Sequence, residues 1–308
     1  MNANNSSSGA VQSKLPCSSH PVYGHAGGRR RFLGPCSESG TGVPADAPTR
    51  VLGEGQFCIA VLVEPDIVVR FPRHALGIEH LVHERRVVEV LGSHLDVAVP
   101  APLAAELDNP PGRAFASHRL VPGDLVTRDF LDDLGRGDTD QLHDQVASLL
   151  LGLKAATSAA TGVGVRTESL GEIAAFMAAD VDALLRDRMS PVQFARATVE
   201  LRAFAGVDRH DRSLCHADLG GNLVWDPCGQ RLGVIDFGGA CVSDPVLDLA
   251  SLSALDESLA AAVAAQVPHL VGRVDDAQAV RSTFALQDAL YGALQRDWRH
   301  VHDVLGSS

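Results

Sequence analysis

One stretch of the chain, residues 214–248, sets the strongest constraint on what this sequence can fold into. A single loop in it carries His216, Asp218 and Asn222, and Asp236 stands eighteen positions after Asp218 (236 − 218). Two short apolar segments, residues 223–225 and 232–235, flank an Asp-Pro-Cys-Gly turn and are predicted to pair as a β-hairpin. Such a hairpin returns Asp236 to the side of Asp218 and Asn222. Two carboxylates and an amide that meet at a hairpin base indicate a magnesium site next to a general base.

The order of these parts resembles the phosphoryl-transfer loop of protein kinases, in which His-x-Asp and a following Asn precede Asp-Phe-Gly. More specifically, the chain resembles the aminoglycoside phosphotransferase family of antibiotic and small-metabolite kinases. Three blocks carry this resemblance, namely His216-Ala217-Asp218, Ile235-Asp236-Phe237-Gly238, and Asp244-Pro245 with Asp248-Leu249-Ala250. The alternative is that His216 caps a turn among ordinary loop aspartates. Three blocks in order and at the family's spacing favour the kinase interpretation.

The resemblance implies an α+β, bilobal protein-kinase-like fold, with a small β-rich N-lobe and a larger, mostly helical C-lobe. Residues 49–120 would form the N-lobe with the nucleotide-binding loop, and residues 121–308 the C-lobe with the catalytic loop, the metal site and the substrate site. Residues 1–48 are rich in Asn, Ser, Gly and Pro, so a disordered tail is predicted, with Arg29-Arg30-Arg31 as part of a solvated arm. Helices of the C-lobe are predicted near residues 142–153, 173–185, 192–204, 247–263 and 279–294.

The N-lobe begins with a pattern of strand, turn and strand. Residues 51–57 lead into the apolar run 58–63, and a second apolar run, residues 67–71, follows Glu64-Pro65-Asp66. A plain hairpin turn accounts equally well for two glycines two positions apart. The position upstream of Asp218 favours a loop that folds over nucleotide phosphates with its amides. The residues of this loop predicted to contact the nucleotide are Gly53, Gly55, Gln56 and Phe57.

In the resembled kinases, the next strand carries a lysine that contacts the nucleotide phosphates and pairs with a helix glutamate. This chain has Arg70 there, with Arg73 as the alternative, and arginine keeps the charge while replacing an ammonium by a planar fork. A predicted amphipathic helix over residues 78–91 supplies Glu84 as the partner, although a surface glutamate would fit the same pattern. The resemblance also places the nucleotide base against the hinge backbone near Ser117, His118 and Arg119.

The resemblance implies a role for each residue of the catalytic stretch. Asp218 accepts a hydrogen bond from the acceptor hydroxyl, while Asp236 and Asn222 hold Mg²⁺ against the phosphates of ATP or GTP. His216 and Asp248 brace the loop through hydrogen bonds. One departure from the family is that Asn222 stands four positions after Asp218 (222 − 218) instead of five. A different path through Gly220-Gly221, which glycine permits, would restore the Asn222 side chain to its place.

Charge and composition exclude several classes of protein. The 308 residues carry a formal net charge of −12, which argues against a nucleic-acid binder and fits either a cationic substrate or solubility alone. No run is as long as a membrane span and the first residues lack a secretory pattern, so a cytoplasmic protein is expected. The sequence does not indicate the oligomeric state, and a monomer is the default expectation. Six cysteines without Cys-x-x-Cys spacing predict reduced thiols.

His80 and His83, on the predicted helix, are interpreted as solvated side chains.

The acceptor is inferred from a closer resemblance within the family. Residues 283–291, together with residues 54–57 and 216–222, resemble the branch that modifies the cyclic peptides viomycin and capreomycin. This implies transfer of the γ-phosphoryl group to a hydroxyl of a cationic, tuberactinomycin-type antibiotic, which confers resistance. Carboxylates between residues 124 and 144 could hold such a polycation, but solvated helix faces are the favoured interpretation for most of them.

Other functions stay open at this point. An aminoglycoside or macrolide O-phosphotransferase and a metabolite kinase share the same catalytic stretch, because substrate pockets vary on one fold. A nucleotide-binding pseudokinase is the alternative outside the enzymes, in view of Arg70 and the short Asp218–Asn222 spacing. The sequence does not distinguish ATP from GTP.

Overall fold

The computed structural model describes residues 47–307, and its first part is a five-stranded antiparallel sheet. In the order β1-β2-β3-β5-β4, strand β4 lies at an edge of the sheet, as the prolines of residues 98–102 predict, because proline cannot donate a hydrogen bond to a neighbouring strand. The strands are β1 (Thr49–Glu54), β2 (Cys58–Val63), β3 (Ile67–Pro72), β4 (Pro102–Glu106) and β5 (Phe115–Arg119). Most of the predicted tail, with Arg29-Arg30-Arg31, lies outside the described residues.

Helix α1 (Ala75–Leu91) connects β3 to β4 and carries Glu84. Its N-cap is His74, which accepts a hydrogen bond from the backbone N–H of Gly77 at 3.3 Å. The apolar positions Leu81, Val88 and Leu91 are buried, as the helical spacing predicts. A Cβ at Gly77 would lie 2.4 Å from the carbonyl oxygen of Phe57, so a glycine is required where α1 passes the loop between β1 and β2.

The second part of the chain is mostly helical. Its helices are α2 (Arg128–Asp133), α3 (Arg136–Gly162), α4 (Leu170–Asp180), α5 (Pro191–Gly206), α6 (Val246–Leu255), α7 (Glu257–Gln266), α8 (Val274–Arg281), α9 (Phe284–Leu294) and α10 (Trp298–Ser307). A π-helical turn, Val181–Leu185, continues α4. One apolar core joins these helices to the inner side of α1, which contributes Val87, Val88 and Leu91. No helix among the described residues combines the length and apolar character needed to cross a bilayer.

Two of the predicted helices are wrong in extent, because each is two helices. The segment 247–263 breaks at Asp256, whose Oδ1 accepts hydrogen bonds from the N–H groups of Ser258 and Leu259, both at 2.9 Å. That side chain is the N-cap of α7. The segment 279–294 breaks between α8 and α9, where the Thr283 hydroxyl donates to the carbonyl oxygen of Val280 at 2.7 Å. Short polar side chains thus end helices that apolar periodicity alone would continue.

The predicted hairpin of the catalytic stretch is confirmed. Strands β8 (Leu223–Asp226) and β9 (Arg231–Val234) pair antiparallel, with β6 (Asp124–Leu125) on the other side of β8. A separate antiparallel pair is formed by β7 (Ser213–Cys215) and β10 (Cys241–Ser243). Strand β7 precedes the loop of residues 216–222, and β10 follows Asp236. Ala98, which precedes β4, exchanges hydrogen bonds with β9, from Ala98 N to Leu232 O at 2.9 Å and from Val234 N to Ala98 O at 2.8 Å. The hairpin is therefore tied to the N-terminal sheet through this segment.

The close approach of β6 to β8 depends on Gly123, which gives a test of the fold. Its φ is +117° and a Cβ there would lie 2.3 Å from the carbonyl oxygen of Trp225, a buried residue. We expect Gly123→Ala to lower the free energy of unfolding by more than about 2 kcal/mol, measured by urea denaturation.

The matched control is Gly137→Ala in α3, where a Cβ meets nothing within 4 Å. Alanine has the higher helix propensity, so this variant is expected to be unchanged or more stable by a few tenths of a kcal/mol. Equal effects of the two substitutions would contradict the close packing of Gly123 on Trp225.

Candidate active site

The base of the β8–β9 hairpin holds the loop of residues 216–222 through His216. The side chain of His216 is fully buried, and its Nε2 donates to the carbonyl oxygen of Ile235 at 2.9 Å. Its Nδ1 accepts from the N–H of Asp218 at 3.3 Å. Burial lowers the pKa of His216, so the ring is neutral near pH 7 with its proton on Nε2. The ring therefore joins the loop that carries Asp218 to the residue that precedes Asp236.

Asp248, in the first turn of α6, supports the same loop from the other side. Its two oxygens accept hydrogen bonds from the N–H groups of His216 at 3.0 Å and Ala217 at 2.8 Å. Ala217 has φ of 69°, a conformation that costs energy in a residue with a Cβ, so these bonds hold a strained backbone. Burial raises the pKa of Asp248 from 3.8 to about 7, against the effect of the two N–H donors.

The shortened loop brings Asn222 beside Asp218 despite the four-residue spacing. Residues 219–221 form one 3₁₀ turn, which the N–H of Asn222 closes by donating to Leu219 O at 3.1 Å. The Nδ2 of Asn222 donates to the carbonyl oxygen of Asp218 at 2.7 Å and to its Oδ2 at 3.2 Å. Because both of these bonds use Nδ2, the Oδ1 atom of Asn222 is the atom of this amide that could bind a cation.

Gly220 makes this turn possible. Its N–H donates to the Oγ of Ser251 at 2.7 Å, and a Cβ at this position would lie 2.1 Å from the carbonyl oxygen of Ser251. Helix α6 therefore touches the loop backbone at Gly220 as well as at Ala217. The path that the glycines were expected to permit is present, and it is held by α6.

The predicted phosphate-binding cation, Arg70, is buried between two carboxylates. Its Nη1 donates to Glu84 Oε2 at 2.5 Å, and its Nη2 donates to Asp236 Oδ1 at 3.0 Å. The alternative, Arg73, is exposed and donates to the carbonyl oxygen of Gly55 at 3.0 Å. Arg70 thus has the position relative to Glu84 that the kinase resemblance implies, and the planar fork serves both partners at once.

Glu84 accepts hydrogen bonds from residues of both lobes. While Oε2 accepts from Arg70, Oε1 accepts from the N–H of Phe237 at 3.3 Å. Burial raises the pKa of the Glu84 carboxyl, and the Arg70 guanidinium opposes this effect. The pair is therefore buried but hydrogen-bonded on each side, which is the arrangement in which buried charges are tolerated.

Asp236 has the properties of a cation ligand. Burial opposes the ionisation of Asp236, but the Arg70 guanidinium and the nearby His80 and His216 rings together outweigh burial and hold the pKa of Asp236 well below its usual range. Its side chain is 34% exposed, so the carboxylate remains accessible although Arg70 takes one oxygen. Its backbone is left-handed, with φ of 62° and ψ of 63°.

These side chains fit Mg²⁺ as a shared ion rather than as a site of the protein alone. In the described part of the chain, no group of three or more His, Cys, Asp or Glu side chains could hold a metal ion. One carboxylate and one amide oxygen, Asp236 and Asn222, are what Mg²⁺ uses in sites where substrate phosphates supply further ligands.

The predicted nucleotide loop lies between β1 and β2. Gly53 is in β1 next to a β-bulge, and Gly55 donates from its N–H to Cys58 O at 2.9 Å. Gln56 is half-buried. Phe57 accepts at its carbonyl oxygen from Arg73 N at 2.8 Å. The contact of these four residues with a nucleotide stays a prediction.

The three predicted hinge residues have different surroundings. The Oγ of Ser117 is bound to the N and O atoms of Ala104, both at 3.1 Å, and the Arg119 guanidinium is paired with Asp66 at 2.7 Å. The N–H of Arg119 donates to Ala101 O at 3.0 Å. Burial lowers the pKa of His118 to about 4, and the Arg70 guanidinium lowers it further, while the Asp236 carboxylate raises it. These hydrogen bonds hold Ser117 and Arg119 within the N-terminal sheet. The contact of Ser117, His118 and Arg119 with a nucleotide base stays a prediction.

The interpretation of His80 and His83 as solvated side chains is wrong. The His80 side chain is 9% exposed, lies parallel to the Phe57 ring, and has Nδ1 3.9 Å from Asp236 Oδ1. The Nε2 of His83 donates to the carbonyl oxygen of Ala240 at 2.7 Å. The available signal was spacing, since His80 precedes Glu84 by four residues and therefore shares its helix face. No sequence pattern marked Ser251, whose Oγ accepts the hydrogen bond from the N–H of Gly220.

The raised pKa of Asp248 gives a test of the loop's support. The folded chain binds a proton there that the unfolded chain releases above pH about 4, so this stabilisation is present at low pH and lost as pH rises to about 7. Asp248→Asn removes it. We expect the difference in free energy of unfolding between wild type and variant to be about 2 kcal/mol larger at pH 5 than at pH 8, in urea denaturation.

Asp187→Asn, at an exposed position, is the matched control and should show the same difference at both pH values. A difference between wild type and Asp248→Asn that does not change with pH, or that is larger at pH 8, would contradict a buried Asp248 with a raised pKa.

Comparison with known proteins identifies the family. A model described as the phosphotransferase enzyme family matches residues 59–286. Viomycin phosphotransferase of Streptomyces vinaceus is 30% identical over 263 residues, which cover 82% of this chain and 90% of that protein. Among solved structures, the GDP and kanamycin complex of APH(2")-IIIa has a TM-score of 0.75 at 23% identity, covering 84% of this chain and 91% of that one. Macrolide 2'-phosphotransferase type I has a TM-score of 0.65 at 20% identity, covering 86% and 92%. The bilobal, kinase-like α+β fold is confirmed, and this chain belongs to the phosphotransferase enzyme family.

Proposed function

We propose that this protein transfers the γ-phosphoryl group of ATP or GTP to a hydroxyl of an antibiotic, and that the antibiotic is a tuberactinomycin-type cyclic peptide. The observation that carries the proposal is the convergence of Asp218, Asn222 and Asp236 at the base of one hairpin, next to Arg70. These groups supply what phosphoryl transfer requires, which is alignment of the hydroxyl and neutralisation of phosphate charge.

Asp218 orients the acceptor. Its loop is held by His216 and Asp248, so the carboxylate has a defined place from which to accept a hydrogen bond from the attacking hydroxyl. Asn222 donates to Asp218 Oδ2 at 3.2 Å and limits the rotation of that carboxylate. Positioning of this kind lowers the barrier because the reacting oxygen is already aligned.

Arg70, Asp236 and Asn222 act on the donor. Arg70 carries a permanent charge that can be shared with the phosphates without leaving Glu84, since the guanidinium has five N–H donors. Mg²⁺, when bound by Asp236 and Asn222, would neutralise charge on the phosphates of the nucleotide. The donor base is left open, because related structures include complexes with GDP and with ATP.

Support for the cyclic-peptide acceptor comes from the sequence match to viomycin phosphotransferase, which extends over 82% of this chain. The net charge of −12 is consistent with a cationic substrate, although it does not select one. Kanamycin, an aminoglycoside, is bound in one structural neighbour, and another is a macrolide phosphotransferase. Those neighbours are at most 23% identical to this chain, so the cyclic peptide is preferred to both drug classes.

The pseudokinase alternative rests on Arg70 and the short loop. The structure weakens both reasons, because Arg70 is paired with Glu84 and Asp236 and the short loop still brings Asn222 to Asp218.

The test is a mass-shift assay. Purified protein with Mg²⁺ and either ATP or GTP is incubated separately with viomycin, capreomycin, kanamycin, hygromycin and erythromycin. We expect one phosphoryl group to be added to viomycin or capreomycin, and no transfer after a chelator removes the metal ion. Transfer to another drug class would support the proposed phosphoryl transfer and contradict the proposed cyclic-peptide acceptor. Nucleotide binding without transfer to any acceptor would support the pseudokinase.

Asp218→Asn keeps the shape of the side chain and removes its charge. We expect kcat to fall by about 10²- to 10⁴-fold, because the amide accepts a proton poorly and orients the hydroxyl less well. Nucleotide affinity, measured by calorimetry, should change little. Asp187→Asn is the matched control and should retain wild-type kcat, while a fully active Asp218→Asn would rule out Asp218 as the catalytic carboxylate.

A further inference from the structure

Three segments of the chain meet at the ring of His80. The ring is stacked on Phe57 of the loop between β1 and β2, with centroids 4.4 Å apart and an interplanar angle of 10°. Its Nδ1 is 3.9 Å from Asp236 Oδ1. A Cβ at Gly238 would lie 2.0 Å from the ring atoms, so the ring fills the space that this glycine leaves empty. His80 therefore contacts both the predicted nucleotide loop and the turn of residues 236–238.

The turn of residues 236–238 needs support from outside. Asp236 has a left-handed backbone, which costs of order 1–3 kcal/mol in a residue with a Cβ and persists when the surroundings impose it. Helix α1 contacts the turn at two positions that are one helical turn apart. Glu84 accepts from the N–H of Phe237 at 3.3 Å, and His80 packs against Gly238. The hydrogen bond fixes the turn backbone, while the ring adds a flat surface beside Asp236.

Phe57 extends this contact to the other lobe. Besides His80, it lies edge-on to His74 at 5.8 Å and tilted to Tyr291 of α9 at 6.4 Å between ring centroids. Offset and edge-on ring pairs are attractive beyond the area they bury. The loop between β1 and β2 is thus held by aromatic contacts to α1 and α9, and His80 is the member of the group that also reaches Asp236.

We propose that His80 is a positioning residue that sets the nucleotide loop and the Asp236 carboxylate at a fixed distance from each other. This inference rests on the proposed function. Because loop and carboxylate would contact the same phosphate chain, displacing either one weakens nucleotide binding. His80 acts through Phe57 and Asp236 and touches no reacting atom. Because its contacts are with the predicted nucleotide loop and Asp236, binding of the acceptor should depend little on His80.

The first test compares His80→Ala and His80→Leu with wild type in the presence of Mg²⁺. Leucine keeps the space filled and so guards against a variant that does not fold. For both variants we expect the affinity for ATP or GTP, measured by calorimetry without acceptor, to fall about tenfold. The KM for the nucleotide should rise to match, while the KM for the acceptor stays within about twofold. His143→Ala, at a half-buried position of α3, is the control and should bind nucleotide as wild type does.

The second test uses the fit between His80 and Gly238. Gly238→Ala places a methyl group against the ring and should weaken nucleotide binding by more than His80→Ala does. In the His80→Ala background that space is empty, so adding Gly238→Ala should cost less than about twofold. The two substitutions are therefore expected to be strongly non-additive.

Two outcomes separate this inference from the function on which it rests. Wild-type nucleotide affinity in both His80 variants, or an equal effect of Gly238→Ala in both backgrounds, would overturn the role of His80 and leave the proposed function intact. Wild-type protein that binds neither ATP nor GTP would overturn the proposed function, and the inference with it.

Discussion

The guanidinium of Arg70, buried between Glu84 and Asp236, is the interaction on which the rest of the site depends. It connects a strand of the N-lobe, the helix α1 and the turn that follows the catalytic hairpin. Removing one partner of a buried pair leaves an uncompensated charge, at a cost of about 3–5 kcal/mol. The arrangement is therefore held as a unit, and it presents a positive charge and an accessible carboxylate at the same place.

The loop of residues 216–222 is held in a different way, by hydrogen bonds to its backbone from two sides. Helix α6 holds it through Asp248 and Ser251, and the hairpin base holds it through His216. These contacts go to backbone groups, and the Asn222 side chain adds to them by donating to the carbonyl oxygen of Asp218. This support explains how Asn222, only four positions after Asp218, still lies beside it.

Local patterns predicted part of this arrangement. The hairpin follows from its turn and its apolar flanks, and the edge position of β4 follows from its prolines, because both signals lie within a few residues of the structure they specify. The two helices that were predicted as one near residues 247–263 show where such signals compete, since Asp256 ends the apolar periodicity by binding the next turn's N–H groups. The two strands on either side of Gly55, β1 and β2, were likewise visible as strand, turn and strand.

Contacts between distant segments could not be predicted in this way. His80 was misjudged because its environment is made by Phe57 and by Gly238, which stand far from it in the sequence. Ser251 is a helix residue without any motif, and it matters only because Gly220 comes within hydrogen-bond distance of it. The pairing of Arg70 with Glu84 was expected from family resemblance, whereas its second bond to Asp236 depends on how the two lobes meet.

A double-mutant cycle on Arg70 and Glu84 would test most directly whether the buried guanidinium organises the donor site. Calorimetry would give the affinity for ATP and for GTP, with Mg²⁺, of wild type, Arg70→Lys, Glu84→Gln and the double variant, after thermal unfolding has shown that each is folded. We expect the two single losses to overlap, with a coupling free energy above about 1.4 kcal/mol, a tenfold effect, since each change disrupts the same fork. Additive losses, or single variants that bind nucleotide as wild type does, would contradict a site built on this ion pair.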